Sequence, residues 1–254
     1  MSETLKIGFF VTCLVDAMRP SIALASIKLL ESAGCDVTVP SAQVCCGQPA
    51  FNNGDIDTAK NIARQVIDVF EQYDFLVAPS ASCLGMIKVH YPELFQDEPH
   101  YLEKVEKLSN KCYEILTFLH DVLKIEISAR FDSTVTYHDS CSGLRELGIE
   151  SQPRQLLNKV KGLKLKEMKD TDICCGFGGT FCVKYPDIST SLVSDKVKNI
   201  IDVDAKVVLA GDLGCLMNIA GRCQREGKAV RFYHTVEVLA GMAAEYPAIG
   251  EKWS

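Results

Sequence analysis

Two stretches, QVCCGQP at 43–49 and DICCGFGGTFC at 172–182, set adjacent cysteines against glycine. Neighbouring side chains point apart, and a bridge between them closes a strained ring, so vicinal cysteines serve poorly as packing or as a disulfide. Two sulfurs beside flexible backbone suit a shared ligand better. Single cysteines recur around both pairs. Cys13 precedes Cys45 by 32 residues and Cys141 precedes Cys174 by 33, while Cys83 follows Cys46 by 37 and Cys215 follows Cys175 by 40. One cysteine, a pair and one more are thus written twice, with the pairs 129 residues apart. Each half offers four thiolates: Cys13, Cys45, Cys46 and Cys83 in the first, Cys141, Cys174, Cys175 and Cys215 in the second.

Four soft ligands in one place suit an iron–sulfur cluster or tetrahedral zinc, and purely redox thiols are a third use. The glycines favour the cluster. Its sulfides accept backbone N–H groups, and Gly47, Gly176, Gly178 and Gly179 would let main chain come close, at positive φ where needed. Structural zinc more often wraps its ion with C-x-x-C knuckles, and the sequence has none. Zinc and redox thiols stay open at this point. No G-x-G-x-x-G follows an expected strand and no lysine-bearing phosphate loop occurs, so no nucleotide or flavin site is expected. Without a hydride acceptor the chain is not expected to complete a two-electron oxidation alone.

The composition fits that setting. A 47% hydrophobic and 24% charged chain of 254 residues has the balance of a globular protein. A net charge of −6 offers no basic face to nucleic acid. The apolar run at 9–15 is too short for export or membrane spanning. Twelve cysteines are then expected to be reduced, in the cytoplasm, rather than paired in a disulfide scaffold.

The elements that must position these sulfurs follow from periodicity. Short apolar runs at 5–12, 36–40 and 74–80 read as buried strands, and 19–33 and 55–72 as amphipathic helices, the second capped by Asp55. Residues 101–124 read as one long helix, with Val105, Leu108, Cys112, Ile115, Leu116 and Leu119 on its apolar stripe, connecting the halves. The cycle restarts with strands at 133–140, 163–168, 205–211 and 229–234 and helices at 152–160, 187–201 and 213–226. The expected fold is α/β: two pseudo-repeated halves, 1–125 and 126–254, each a small parallel sheet flanked by helices. All eight cysteines then fall beyond the carboxyl ends of strands, where open parallel sheets collect ligands.

Other residues have plainer readings. Cys35, Cys112 and Cys223 have no counterpart across the repeat and read as buried fillers. Cys182, on the glycine-rich loop, is either a reactive thiol or a bystander. His138, three residues before Cys141, reads first as a satisfied strand-end histidine and second as a ligand or proton relay. Asp139 is read as a turn residue, an anchor for N–H groups or an acceptor from His138; His234 is read as structural and Asp212 as a helix cap.

The paired pattern resembles the cysteine-rich "CCG" domain, found in the B subunit of heterodisulfide reductases, in the iron–sulfur subunits of glycolate oxidase and anaerobic glycerol-3-phosphate dehydrogenase, and in free-standing form. The stretches VTCLVDAMRP, YHDSCSGLRELGI, CCGFGGTFCVKYPDIS and GDLGCLMNIAGR resemble the free-standing lactate-utilisation type, over nearly the whole chain. The resemblance implies an iron–sulfur electron-transfer subunit of an L-lactate-oxidising complex, an oxidoreductase component working with a ferredoxin-like iron–sulfur subunit and a third subunit. A surface near 174–182 would face the partner. Other implied readings are a heterodisulfide-reductase-like thiol/disulfide redox enzyme and a zinc-binding assembly module. One departure matters: where the reductase subunit ends each half in C-x-x-C, this chain has Met86 and Asn218. The implied five sulfurs become four per half, and an ordinary [4Fe–4S] cluster, in one or both halves, is the simpler expectation.

Overall fold

A computed structural model describes Thr4 to Glu251. The chain divides into two compact units between Leu123 and Lys124. In the first, β1 (Lys6–Phe9), β2 (Asp36–Thr38), β3 (Phe75–Ala78) and β4 (Cys112–Glu114) form a wholly parallel sheet in the order β2-β1-β3-β4. In the second, β5 (Arg130–Tyr137), β6 (Lys161–Leu165), β7 (Val207–Ala210) and β8 (Arg231–His234) repeat it as β6-β5-β7-β8. The expected α/β class and pseudo-repeat are both present.

The central strands read as unbroken apolar runs because helices cover both faces of each sheet. Ile7, Phe9, Leu76, Val77 and Ala78 are wholly buried, as are Val207, Val208, Leu209 and Ala210. Register is matched as well. Ile7 stands opposite Val37 and Phe75 in the first unit, and Val135 opposite Leu165 and Val207 in the second. One residue past each lead strand, Phe10 N–H donates to Val77 O and His138 N–H to Leu209 O, both at 2.9 Å. Phe10 and His138 therefore hold the same place in the two units.

The helices follow local chemistry. Pro20 opens Pro20–Ser32, where its missing N–H costs nothing, and Ile22, Ala25, Leu29 and Leu30 turn inward. Asp55 caps Ile56–Phe70 by accepting from Thr58 N–H at 3.2 Å. That helix buries Ala59, Ala63, Val66, Ile67 and Phe70, and Pro186–Asp202 buries Ser189, Val193, Lys196, Val197 and Ile200 at the same spacing. Lys196 thus stands where the first unit has Val66. No helix among the described residues is long and apolar enough to cross a membrane.

The long helix expected at 101–124 does not form. Its first part is the helix Pro99–Asn110, but Lys111 ends it and Cys112–Glu114 adds β4 to the first sheet, pairing Val77 with Tyr113. Glu114 then caps a new turn, its carboxylate accepting from Leu116 N–H at 2.8 Å. The apolar spacing misled because a strand followed by a short helix buries Cys112, Ile115, Leu116 and Leu119 as fully as a continuous helix would. The segment closes the first sheet and is not a connector.

Gly8 lies on central β1, where an added Cβ would fall 2.6 Å from the Tyr73 ring and 2.8 Å from that of Phe70. Gly8→Ala is expected to cost about 1–3 kcal/mol through overpacking, read as an earlier midpoint in urea unfolding.

Two candidate metal centres

Parallel strands deliver all their carboxyl ends to one edge, and three neighbouring strands carry cysteines there in each unit. Cys13 opens the helix Cys13–Met18 after β1, Cys45 and Cys46 lie on the loop after β2, and Cys83 lies in the helix Ala81–Gly85 after β3. Ser80 caps that last helix and accepts from Cys83 N–H at 3.4 Å. In the second unit Cys141 follows β5, Cys174 and Cys175 follow β6, and Cys215 occupies the first turn of Leu213–Arg225 after β7. Asp212 caps that helix, accepting from Gly214 N–H at 3.1 Å, as expected.

The structure brings each quartet together. Cys13 and Cys46 both donate to Cys45, and Cys46 also reaches Cys83. Cys141 and Cys175 likewise reach Cys174, and Cys175 Sγ lies 2.9 Å from Cys215 Sγ. Cys46, Cys175 and Cys215 are buried, Cys45, Cys83 and Cys174 half-buried, and Cys13 and Cys141 exposed.

Main chain is arranged around the sulfurs. Gly176 N–H donates to Cys174 Sγ at 3.3 Å, and backbone N–H groups of Leu14, Gly47, Ser142 and Phe177 face Cys13, Cys45, Cys141 and Cys175. The glycine of each pair has positive φ, 84° at Gly47 and 76° at Gly176. At Gly176 a Cβ would also meet Ser189 O at 2.6 Å, so only glycine fits. The carbonyl of the second cysteine is pinned in both units by a side chain from beyond the next strand. Tyr91 OH donates to Cys46 O at 2.8 Å and Asn218 Nδ2 to Cys175 O at 2.7 Å. Asn218, which departs from the five-sulfur pattern, thereby acts on the backbone of the pair.

Proton sharing polarises the metal-free quartets. Cys45 is held well below the ordinary thiol range because it accepts from Cys13 and Cys46, and Cys174 because it accepts from Cys141 and Cys175. Their donors Cys13 and Cys141 are pushed up by those same contacts and by burial. Cys46 and Cys175 are raised likewise. For Cys215 the contact with Cys175 lowers the pKa, but burial and the Asp212 charge outweigh it.

The second unit adds polar groups. His138 is 1% exposed, and one ring nitrogen lies within 4.8 Å of the sulfurs of both Cys175 and Cys215. It is not the satisfied strand-end histidine first expected, because neither ring nitrogen has a hydrogen-bond partner. Burial and the Lys196 charge push its pKa down to about 3, so the ring is neutral. Asp139 does not accept from it; both Asp139 oxygens are taken by Arg154, at 2.9 and 2.8 Å. Lys196 is wholly buried and donates to Asp170 O and Thr171 O at 3.2 and 2.8 Å, tying down the approach to Cys174. Sequence reasoning missed Lys196 and Tyr91. A lysine in register with Val193, Val197 and Ile200 was a readable signal; Tyr91 offered none.

Cys182 lies outside the quartet, its Sγ donating to Gly179 O at 3.3 Å. Cys35, Cys112 and Cys223 are buried, as expected of fillers. His234 caps the helix Thr235–Leu239, a structural role. A cleft lined by Lys206, Gln224, Lys228, Arg231 and Glu251 opens at the amino ends of β7 and β8, the edge opposite the cysteines.

In metal-free, reduced protein near pH 6.5, about two units below the ordinary thiol pKa, iodoacetamide should label Cys45 and Cys174 ahead of the more exposed Cys13 and Cys141. Peptide mass mapping reads the order. Tyr91→Phe should leave the buried Cys46 carbonyl unpaired and cost about 1–3 kcal/mol, measured by chemical denaturation.

Comparison with known proteins agrees with this doubled geometry. The CCG model, described as a cysteine-rich domain, matches twice, over residues 7–88 and 135–220. Lactate utilization protein A of Bacillus cytotoxicus is 43% identical over 236 residues, covering 92% of this chain and 98% of that protein. The Bacillus subtilis (strain 168) protein of the same name is also 43% identical over 236 residues, covering 92% and 99%. Among solved structures, a hypothetical protein from Helicobacter pylori superposes with a TM-score of 0.68 at 12% identity, over 99% of this chain and 50% of that one, a likeness of fold alone. Two matched sulfur quartets on two matched sheets, and identity running through both, place the chain in the CCG cysteine-rich domain family, among its lactate utilization protein A members.

Proposed function

We propose that each quartet holds an iron–sulfur cluster of the [4Fe–4S] type and that the chain carries electrons within an assembly that oxidises L-lactate. The observation that supports this most is the gathering of four thiols twice, each time with main-chain N–H groups aimed at sulfur. The donor set fits. It is all soft sulfur within each quartet, it is reached by N–H groups that stabilise anionic sulfur, and its inner members are shielded from water. Cys13, Cys45, Cys46 and Cys83 would hold one cluster, and Cys141, Cys174, Cys175 and Cys215 the other. Such a cluster supplies one-electron transfer at a potential set by charge, hydrogen bonds to sulfur and exposure.

The chain's own residues do the rest. The buried sulfurs keep water from the inner face, while Cys13 and Cys141 leave an outer corner open to a partner. The relatives' name, lactate utilization protein A, supports the substrate assignment. A ferredoxin-like iron–sulfur subunit and a third subunit that takes electrons from the substrate complete the proposed assembly in the cytoplasm. The segment 174–182, which presents exposed Val183 and Tyr185 just beyond it, is the proposed face toward the partner.

Purified without oxygen, the chain should be brown and contain iron and acid-labile sulfide in near-equal amounts. Cys45→Ser and Cys174→Ser should each remove the iron of their own unit. A colourless protein containing zinc would overturn the cluster assignment, and turnover of a disulfide substrate by the isolated chain would overturn the carrier role.

A further inference from the structure

The two quartets differ in one group placed to bind. The residue just past the lead strand is Phe10 in the first unit and His138 in the second, each fixed by the same backbone hydrogen bond of 2.9 Å. Phe10 is wholly buried among apolar neighbours and rests 5.5 Å from the Phe70 ring. His138 is buried equally well, yet its two nitrogens have no partner in protein. A buried polar atom left unpaired costs about 1–3 kcal/mol, and such an atom in a native fold calls for an ion, a water or a chemical role.

Position narrows these options. A ring nitrogen, Cys175 Sγ and Cys215 Sγ all lie within 4.8 Å of one another, and all three residues are buried. The ring does not hydrogen-bond to either sulfur. Cys175 and Cys215 pair with each other at 2.9 Å, which leaves the ring as the member of this trio with no partner, and neutral imidazole with thiolates is a well-precedented donor set for iron and zinc. Lys196 and the Asp139–Arg154 pair do not satisfy the ring, because their polar atoms are spent on the carbonyls of Asp170 and Thr171 and on each other.

We propose that His138 is a nitrogen ligand of the second unit's metal centre, so that this centre is a mixed imidazole–thiolate site while the first is bound by sulfur alone. The inference rests on the reading that the quartets hold metal. With His138 in place of one thiolate of its quartet the second centre carries less negative charge, and the first would then be the more electron-rich of the two, since replacing thiolate with a neutral nitrogen raises the potential. The chain would hold two unlike carriers.

The test uses the full chain, loaded anaerobically with iron and sulfide, with histidine alone labelled with nitrogen-15. Pulsed electron paramagnetic resonance of the reduced protein should show strong coupling to the labelled nitrogen. Labelling only histidine removes the weak coupling that backbone N–H groups also give. His138→Phe, which installs the residue of the first unit and fills the same space, should abolish that coupling while the Cys45-dependent iron stays bound. Cobalt(II) added alone to metal-free protein provides a second reading: wild type and His138→Phe should differ in the absorption bands that report nitrogen and sulfur ligands. If iron and sulfide are bound but no strong histidine coupling appears, or if the coupling survives in His138→Phe, the assignment of His138 fails and the cluster reading stands. If neither iron nor cobalt is retained by any cysteine quartet, both fall together.

Discussion

Parallel pairing is the constraint on which the site depends. Strands running the same way finish at the same edge, so residues that follow β2, β1 and β3 arrive side by side although 32 and 37 residues separate them along the chain. An antiparallel arrangement would send alternate cysteines to opposite ends of the sheet. The hydrogen-bonded register of the central strands sets how far each loop must reach, and the short helices beginning at Cys13 and Ala81 spend the remaining length by turning the chain back on itself. Glycine in the left-handed region after each pair then lets backbone N–H groups turn toward sulfur.

Once the edge is fixed, the units are free to differ around it. Where the first unit has Phe10, Val11 and Val66, the second has His138, Asp139 and Lys196 in the same places. A wholly buried ammonium near Cys175 and Cys215 is costly to desolvate, which is why its pKa is lowered. Three contacts with Met168, Asp170 and Thr171 offset part of that cost. Its positive charge acts on nearby thiolates at low effective dielectric, where it is felt more strongly than at the surface. The same scaffold therefore carries apolar residues at these three places once and polar or charged ones once.

Much of this is legible in the sequence. Continuous apolar runs named β1, β3 and β7 because strands covered on both faces need no alternation, and the doubled cysteine spacing exposed the repeat. β4 was not legible: Cys112, Ile115 and Leu119 satisfy helical spacing and also a strand followed by a turn, and only pairing with β3 decides between them. The role of Asn218 was hidden for a different reason. Its amide reaches Cys175 O across 43 residues, and local pattern carries no information about such a contact. Asp139 was misread because its partner, Arg154, lies on a helix whose facing side the sequence does not reveal.

The uneven exposure and protonation of the sulfurs also set how each quartet fails. Cys13 and Cys141 meet solvent, whereas Cys46, Cys175 and Cys215 do not. Peroxide attacks thiolate, so in the metal-free chain the half-buried, low-pKa Cys45 and Cys174 would be converted to sulfenic acid ahead of the more exposed but protonated Cys13 and Cys141, and the buried sulfurs last. Oxidation at that single atom would undo the quartet while leaving the sheet, its core and its register intact, so that the injured chain stays folded and open to chemical repair.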